Sequence, residues 1–293
     1  MANESAPKAG GHPDRCDAHF HVFGLPSAYP VGPDLRYAPP LAPFEDYIAH
    51  IRTLDVARFV FVQPSAYGRD NSCMLDAMRA LEPAIRRGIV DIDEDAPDSL
   101  LAELDAAGVR GVRINVSPIK PAAPGFSATM LARIARLGAR CKELGWHLDF
   151  LLPGWLTTEL LPVLRDLEVD FTLAHMGMYQ AAEGVSNPGF MGLLDLLRNG
   201  RRHAWVKLTG AYRISRRADY ADIAPMARAL FAAAPDRLIW GSDYPHLSFQ
   251  QHDTLRLFGL LGEWFPDPHD VERVLADNPA RLYGFRSKGR PQR

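Results

Sequence analysis

Runs rich in β-branched and aromatic residues recur eight times along this chain, and each is followed by a stretch with helical periodicity. The strand-like runs lie at 16–23, 59–65, 88–93, 111–116, 147–152, 170–176, 205–210 and 238–243. The helix-like stretches lie at 44–54, 71–81, 98–107, 127–144, 157–167, 190–199, 220–233 and 250–264. The third begins after Pro97 and stops at Gly108; the fourth has Ser127 placed as N-cap and Gly145 as the residue that ends it. Eight strand–helix units in a chain of 293 residues predict an α/β protein, a (β/α)8 TIM barrel. The competitor is an open doubly wound sheet, but no glycine-rich phosphate loop follows the first strand. The expected organisation is one barrel domain over 14–285, a flexible tail over 1–13 and a basic tail over 286–293, with a ninth helix-like stretch at 270–276.

Composition narrows the class of partner. With 47% hydrophobic and 23% charged residues the chain reads as an ordinary globular protein. A net charge of -2, with no basic stripe interleaved with aromatics, argues against a nucleic-acid or membrane-surface binder. No apolar run is long enough to span a bilayer, and the first residues do not read as a signal peptide. The three cysteines, Cys16, Cys73 and Cys141, are widely spaced and form no CxxC pair, so reduced thiols and a cytoplasmic protein are expected.

In a barrel the chemistry sits at the C-terminal ends of the strands. The polar residues gather there: Asp17, His19 and His21 on strand one, Gln63 and Ser65 on strand two, Arg113 and Asn115 on strand four, His175 on strand six, Tyr212 and Arg213 after strand seven, Asp243 and His246 on strand eight. His19 and His21, at i and i+2, share one face of a strand. Such a pair is a frequent pincer for zinc-like ions, and a carboxylate opposite it, Asp243, can act as ligand or general base.

The segments Asp17-Ala18-His19-Phe20-His21, Leu173-Ala174-His175-Met176-Gly177, Gly241-Ser242-Asp243-Tyr244-Pro245-His246 and Asn278-Pro279-Ala280-Arg281-Leu282-Tyr283 resemble the amidohydrolase superfamily in its second large branch. With Gln63-Pro64-Ser65, Arg110-Gly111-Val112-Arg113-Ile114-Asn115 and Lys207-Leu208-Thr209-Gly210-Ala211-Tyr212-Arg213, the chain resembles the 2-pyrone-4,6-dicarboxylate lactonases and their sulfomuconolactone and sugar-lactone relatives over nearly the whole barrel. The resemblance implies a hydrolase that opens an acidic lactone in aromatic-compound or sugar-acid catabolism.

Metal-dependent members of the superfamily add a strand-four Lys or Glu, or a strand-five His. Here strand four offers Arg113, a cation that repels a metal ion. His147 stands at the start of strand five, roughly 13 Å below the rim at about 3.3 Å per residue, and reads as structural. The expectation is therefore no required cofactor, with adventitious zinc or manganese on His19, His21, His175 and Asp243 as the fallback. That agrees with the metal-free lactonases the chain resembles.

The expected roles follow. Asp243 takes a proton from water, and His19, His21 and His175 polarise the lactone carbonyl. Arg113 and Arg213 clamp acidic groups of a small anionic substrate. The resemblance adds hydroxyl contacts from Ser65 and Tyr37, while His246 orients Asp243, touches substrate or caps the next turn. After strands four and five the chain departs from the dicarboxylate lactonases: Lys120 can replace one cation, whereas Leu151 and Trp155 are apolar. The loop 24–43 is long enough for a wall or lid. The partner expected is the lactone alone, on a monomer or small homo-oligomer. Two alternatives stand: a divalent-metal-dependent amidohydrolase or decarboxylase of the same superfamily, and a non-catalytic carboxylate-binding barrel.

Overall fold

A computed structural model describes residues 12–32, 37–116, 126–247 and 252–286, apart from the side chains at 127 and 128. The strands are β1 (Cys16–Phe20), β2 (Arg58–Val62), β3 (Arg86–Val90), β4 (Val109–Asn115), β5 (His147–Leu151), β6 (Phe171–Leu173), β7 (Ala204–Leu208) and β8 (Leu238–Trp240). They form one eight-stranded sheet in sequence order, with parallel neighbours throughout. The first and last strands meet at the C-terminal rim. There the Asp243 N–H donates to the His19 carbonyl and the His21 N–H to the Tyr244 carbonyl, both at 2.8 Å. The expected barrel is the observed fold.

Helices cover the outside: α1 (Phe44–Ile51), α2 (Ser72–Arg79), α3 (Asp98–Ala107), α4 (Phe126–Leu144), α5 (Gly154–Asp166), α6 (Pro188–Asn199), the short α7 (Ala211–Ile214), α8 (Ala224–Ala233) and α9 (Thr254–Trp264). Local chemistry sets their ends. Gly108 stops α3 in the left-handed region at φ 99°. Asn187 caps α6 by accepting from the Phe190 N–H, and Asp253 caps α9 by accepting from the Leu255 N–H. The helix expected over 220–233 divides into a 3-10 turn, Ala221–Ile223, and α8, because Pro225 supplies no N–H and so stands in the first turn of a new helix.

The chain then runs through α10 (Pro268–Glu272), a π-helical turn at Arg273–Asp277 and α11 (Asn278–Tyr283). This segment closes the floor. Tyr283 and Phe285 pack with Cys16, Ala18, Val60, Val62, Ile89, Trp205 and Ile239, the apolar plug inside the barrel. Arg87 stacks over the Phe285 ring at 4.5 Å and donates to the Tyr283 and Gly284 carbonyls. Among the described residues Cys16, Cys73 and Cys141 are buried free thiols, as the spacing predicts.

Two differences from the sequence reading bear on function. β6 and β8 stop at Leu173 and Trp240, before the residues of interest. His175, Met176 and Asp243 have φ of 52°, 53° and 59°, left-handed values that no strand continues through. Second, β1 carries an irregularity against β2: Asp17 pairs with Phe59 but Phe20 with Phe61. One extra residue in β1 shifts its alternation. Cys16 and Ala18 thus face the barrel plug, and His19 and His21 also face inward. Asp17 turns outward to accept from Tyr47 of α1 at 3.0 Å, and Phe20 stacks on the same ring at 3.8 Å.

Lys120, the Ser117–Pro121 segment, residues 1–11 and 287–293, and 33–36 of the proposed lid fall outside the described residues, and Ser127, expected as N-cap, stands inside α4, which begins at Phe126. The rest of that loop returns to its origin through the Phe23–Ala42 bridge.

Candidate active site

Four buried side chains converge where β1 and β8 meet. His19 Nε2 and His21 Nε2 lie 3.5 and 3.6 Å from Asp243 Oδ1, and His175 Nε2 lies 3.9 Å from Oδ2. The rings of His21 and His175 stand edge-on to His19, at 5.1 and 5.4 Å between centroids. Close backbone approach makes this possible. A Cβ on Gly241 would sit 2.5 Å from the His19 backbone nitrogen, and one on Gly210, at φ 59°, would sit 2.4 Å from His175 Nδ1.

Asp243 is held asymmetrically. Oδ2 accepts from the Tyr212 hydroxyl at 2.5 Å and from Arg213 Nε at 2.9 Å, while Oδ1 has no hydrogen-bond partner among the described residues. Burial opposes its ionisation, yet the Arg213 guanidinium outweighs burial and holds the carboxyl well below the usual range. Burial keeps the three imidazoles neutral: His19 is driven well below its ordinary value, His21 is lowered, and His175 falls to about 3. His21 Nδ1 lies 2.8 Å from the Val62 carbonyl, which only accepts, so Nδ1 carries the proton and Nε2 offers a lone pair. His175 Nδ1 meets Thr209 Oγ1 at 2.7 Å.

Beneath this quartet lies a pair that the sequence reading did not assign. Lys207 of β7 and Asp149 of β5 are fully buried and ion-paired. Asp149 also accepts from Thr172 at 2.7 Å, and Lys207 Nζ is 3.1 Å from His19 Nδ1. Burial opposes ionisation of Asp149, but Lys207 and Arg113 override it and hold the carboxyl at about 2. The available signal was a charged residue inside an otherwise apolar strand run, HLDFL and AWVKL.

Arg113 of β4 is buried, with Nε and Nη1 unsatisfied among the described residues, in the electrostatic field of Asp149, Asp243, Tyr37 and Arg213. Tyr37 and Ser65 come together at 3.4 Å between hydroxyl oxygens. The remaining candidate residues are held as follows. Arg213, expected to clamp substrate, spends its Nε on Asp243. His246, for which orienting Asp243, touching substrate and capping the next turn are all open, directs Nε2 to Thr254 Oγ1 at 2.6 Å, at the start of α9, and meets Asp243 through a backbone bond. His147 is buried near the floor against the Tyr283 ring.

A family model described as amidohydrolase matches residues 16–285. The chain belongs to the amidohydrolase family. Among relatives, it is 37% identical over 284 residues to the 4-sulfomuconolactone hydrolase of Hydrogenophaga intermedia, covering 94% of this chain and 91% of that one. It is 31% identical over 293 residues to the 2-pyrone-4,6-dicarboxylate hydrolase of Comamonas testosteroni, covering 96% and 94%. Among solved structures, this amidohydrolase matches a probable 2-pyrone-4,6-dicarboxylic acid hydrolase of Acinetobacter baumannii, solved with citric acid bound, at TM-score 0.77 and 26% identity over 93% of this chain and 100% of that one.

Amidohydrolases raise the question of a metal. Donor atoms of His19, His175 and Asp243 lie within 4.8 Å of one another, dimensions that suit one ion. The donor chemistry runs against it. The Lys207 ammonium can only donate, so His19 Nδ1 must accept, and the proton of a neutral His19 then stands on Nε2, the nitrogen that faces Asp243. That nitrogen has no lone pair for a cation, and Arg113 adds positive charge beside it. In that form His19 offers a divalent ion no lone pair from Nε2, although the spacing of the donor atoms would hold one.

Proposed function

We propose that this amidohydrolase opens a small anionic lactone by adding water across its ester bond, without a required metal. The observation that carries this reading is the bare Oδ1 of ionised Asp243 facing two imidazole nitrogens at 3.5 and 3.6 Å, beside a buried arginine with unmatched donors. Asp243 Oδ1 takes a proton from water, and the His21 Nε2 lone pair helps align that water. His19 donates to the lactone carbonyl and stabilises the oxyanion, with His175 beside it. The proton held by Asp243 passes to the leaving ring oxygen. Arg113 receives a carboxylate or sulfonate of the substrate, and Tyr37 and Ser65 supply hydroxyls at the same edge. Arg213 acts through Asp243, by keeping it ionised. The names of the relatives support an acidic lactone of the sulfomuconolactone or pyrone dicarboxylate kind.

The test is a panel of mono-carboxylated, di-carboxylated and sulfonated lactones, following proton release with and without chelator and identifying products by NMR. Opening of doubly anionic lactones to the open-chain acid, at a rate chelator changes by less than about twofold, is expected. No turnover on any lactone would overturn the reading, and activity lost to chelator and restored by zinc or manganese would replace it with the metal-dependent one.

A further inference from the structure

The two histidines of the β1 pair face one carboxylate oxygen with opposite hydrogen-bonding character. His21 is anchored by a carbonyl, which fixes its proton on Nδ1 and leaves Nε2 an acceptor. His19 is anchored by an ammonium, which fixes its Nδ1 as the acceptor. Its Nε2 is buried and has no partner among the described residues. The ammonium is in turn held by Asp149, itself fixed by the Thr172 hydroxyl. A line of contacts thus runs from β6 through β5 and β7 to β1, and ends at the reaction centre.

We infer that Lys207, braced by Asp149, is a positioning residue that locks His19 in the Nε2–H form and so makes it the hydrogen-bond donor of the site. That the acceptor is a lactone carbonyl rests on the function proposed above. The physical logic is that of an outer partner fixing which ring nitrogen carries the proton. A buried ion pair is costly to assemble and offers little stability over an apolar pair of the same volume. A fixed tautomer gives this pair a use beyond stability. Without the ammonium, the Nδ1–H form of His19 becomes accessible. Its Nε2 lone pair would then face both the carboxylate and any carbonyl oxygen, which is repulsive.

The experiment compares wild type, Lys207→Met and the Lys207→Met/Asp149→Asn double variant. The double variant removes both partners of the ion pair, so neither is left charged without the other, and it carries the test if the single variant fails to fold. Nitrogen-15 NMR of histidine-labelled protein reads the His19 tautomer directly, with the resonance assigned through His19→Gln. Wild type is expected to show Nε2–H, and both variants a loss of that form. Turnover is expected to fall about 100-fold with KM changed by less than about threefold, the pattern of a lost oxyanion donor. An Nδ1–H His19 in wild type, or an unchanged tautomer in the folded variants, would overturn the inference. A wild type that shows Nε2–H, loses it in the variants and opens no lactone would support the positioning role while ending the lactonase reading.

Discussion

The two oxygens of Asp243 live in different surroundings, and that difference assigns their work. Oδ2 is saturated by Tyr212 and Arg213, and Oδ1 is bare. Asp243→Asn removes the base and is expected to lower kcat by about 10³-fold, within the range for general-base catalysis, measured by steady-state kinetics on the preferred lactone. Arg213→Met tests the electrostatic support. Arg213 depresses the carboxyl, so its loss raises that pKa, and protonation silences the base at higher pH than before. The acid limb of kcat/KM is expected to move upward in pH; an unmoved limb would remove Arg213 from this role. Arg113→Met is expected to raise KM for a dianionic lactone by about 10- to 100-fold, the worth of a charged hydrogen bond, and to leave a neutral lactone nearly unaffected.

At the scale of elements, the site is built from strand ends rather than strands. The extra residue in β1 sends Asp17 outward to Tyr47 and Ser242 while His19 and His21 turn in, so one short segment both braces the barrel and supplies two site groups. β8 contributes through a close approach at Gly241. Gly241→Ala would drive a methyl against the backbone of β1, where neither strand can yield. A loss of about 1–3 kcal/mol is expected in urea denaturation, with activity lost from the part that still folds. Position-by-position alternation accounts for the HxH pair but not for the outward turn of Asp17, because the bulge depends on pairing with β2.

The whole molecule keeps several histidines neutral and buried, and this sets its acid limit. Burial lowers His147 and His246 to about 4. In the unfolded chain a histidine titrates near 6.5. The unfolded state therefore binds more protons below that value, so this part of the stability is complete above about pH 6.5 and is lost as pH falls through about 4. Each group is worth roughly 3 kcal/mol at most. Thermal melts are expected to show a steep fall in Tm between pH 6.5 and 4, reduced in His147→Gln; a Tm flat over that interval would contradict it. Asp149, at about 2, adds stability that persists until pH drops below about 4.

Strand–helix alternation, read from periodicity, was enough to determine the barrel, because each unit must bury one apolar face and eight such units close on themselves. The rim residues His19, His21, His175, Asp243 and Arg113 were also legible, since strand direction places strand ends on one side. Tertiary structure alone decided what those groups do to one another. It put Arg213 on Asp243 and His246 on Thr254, and set Lys207, 188 positions along the chain from His19, and its partner Asp149 beneath that ring, by register and twist that no local pattern encodes. Sequence periodicity reports which face a side chain takes. Which atom it meets there depends on barrel closure, on one bulge, and on backbone at positive φ, and these arise only once all the strands are paired.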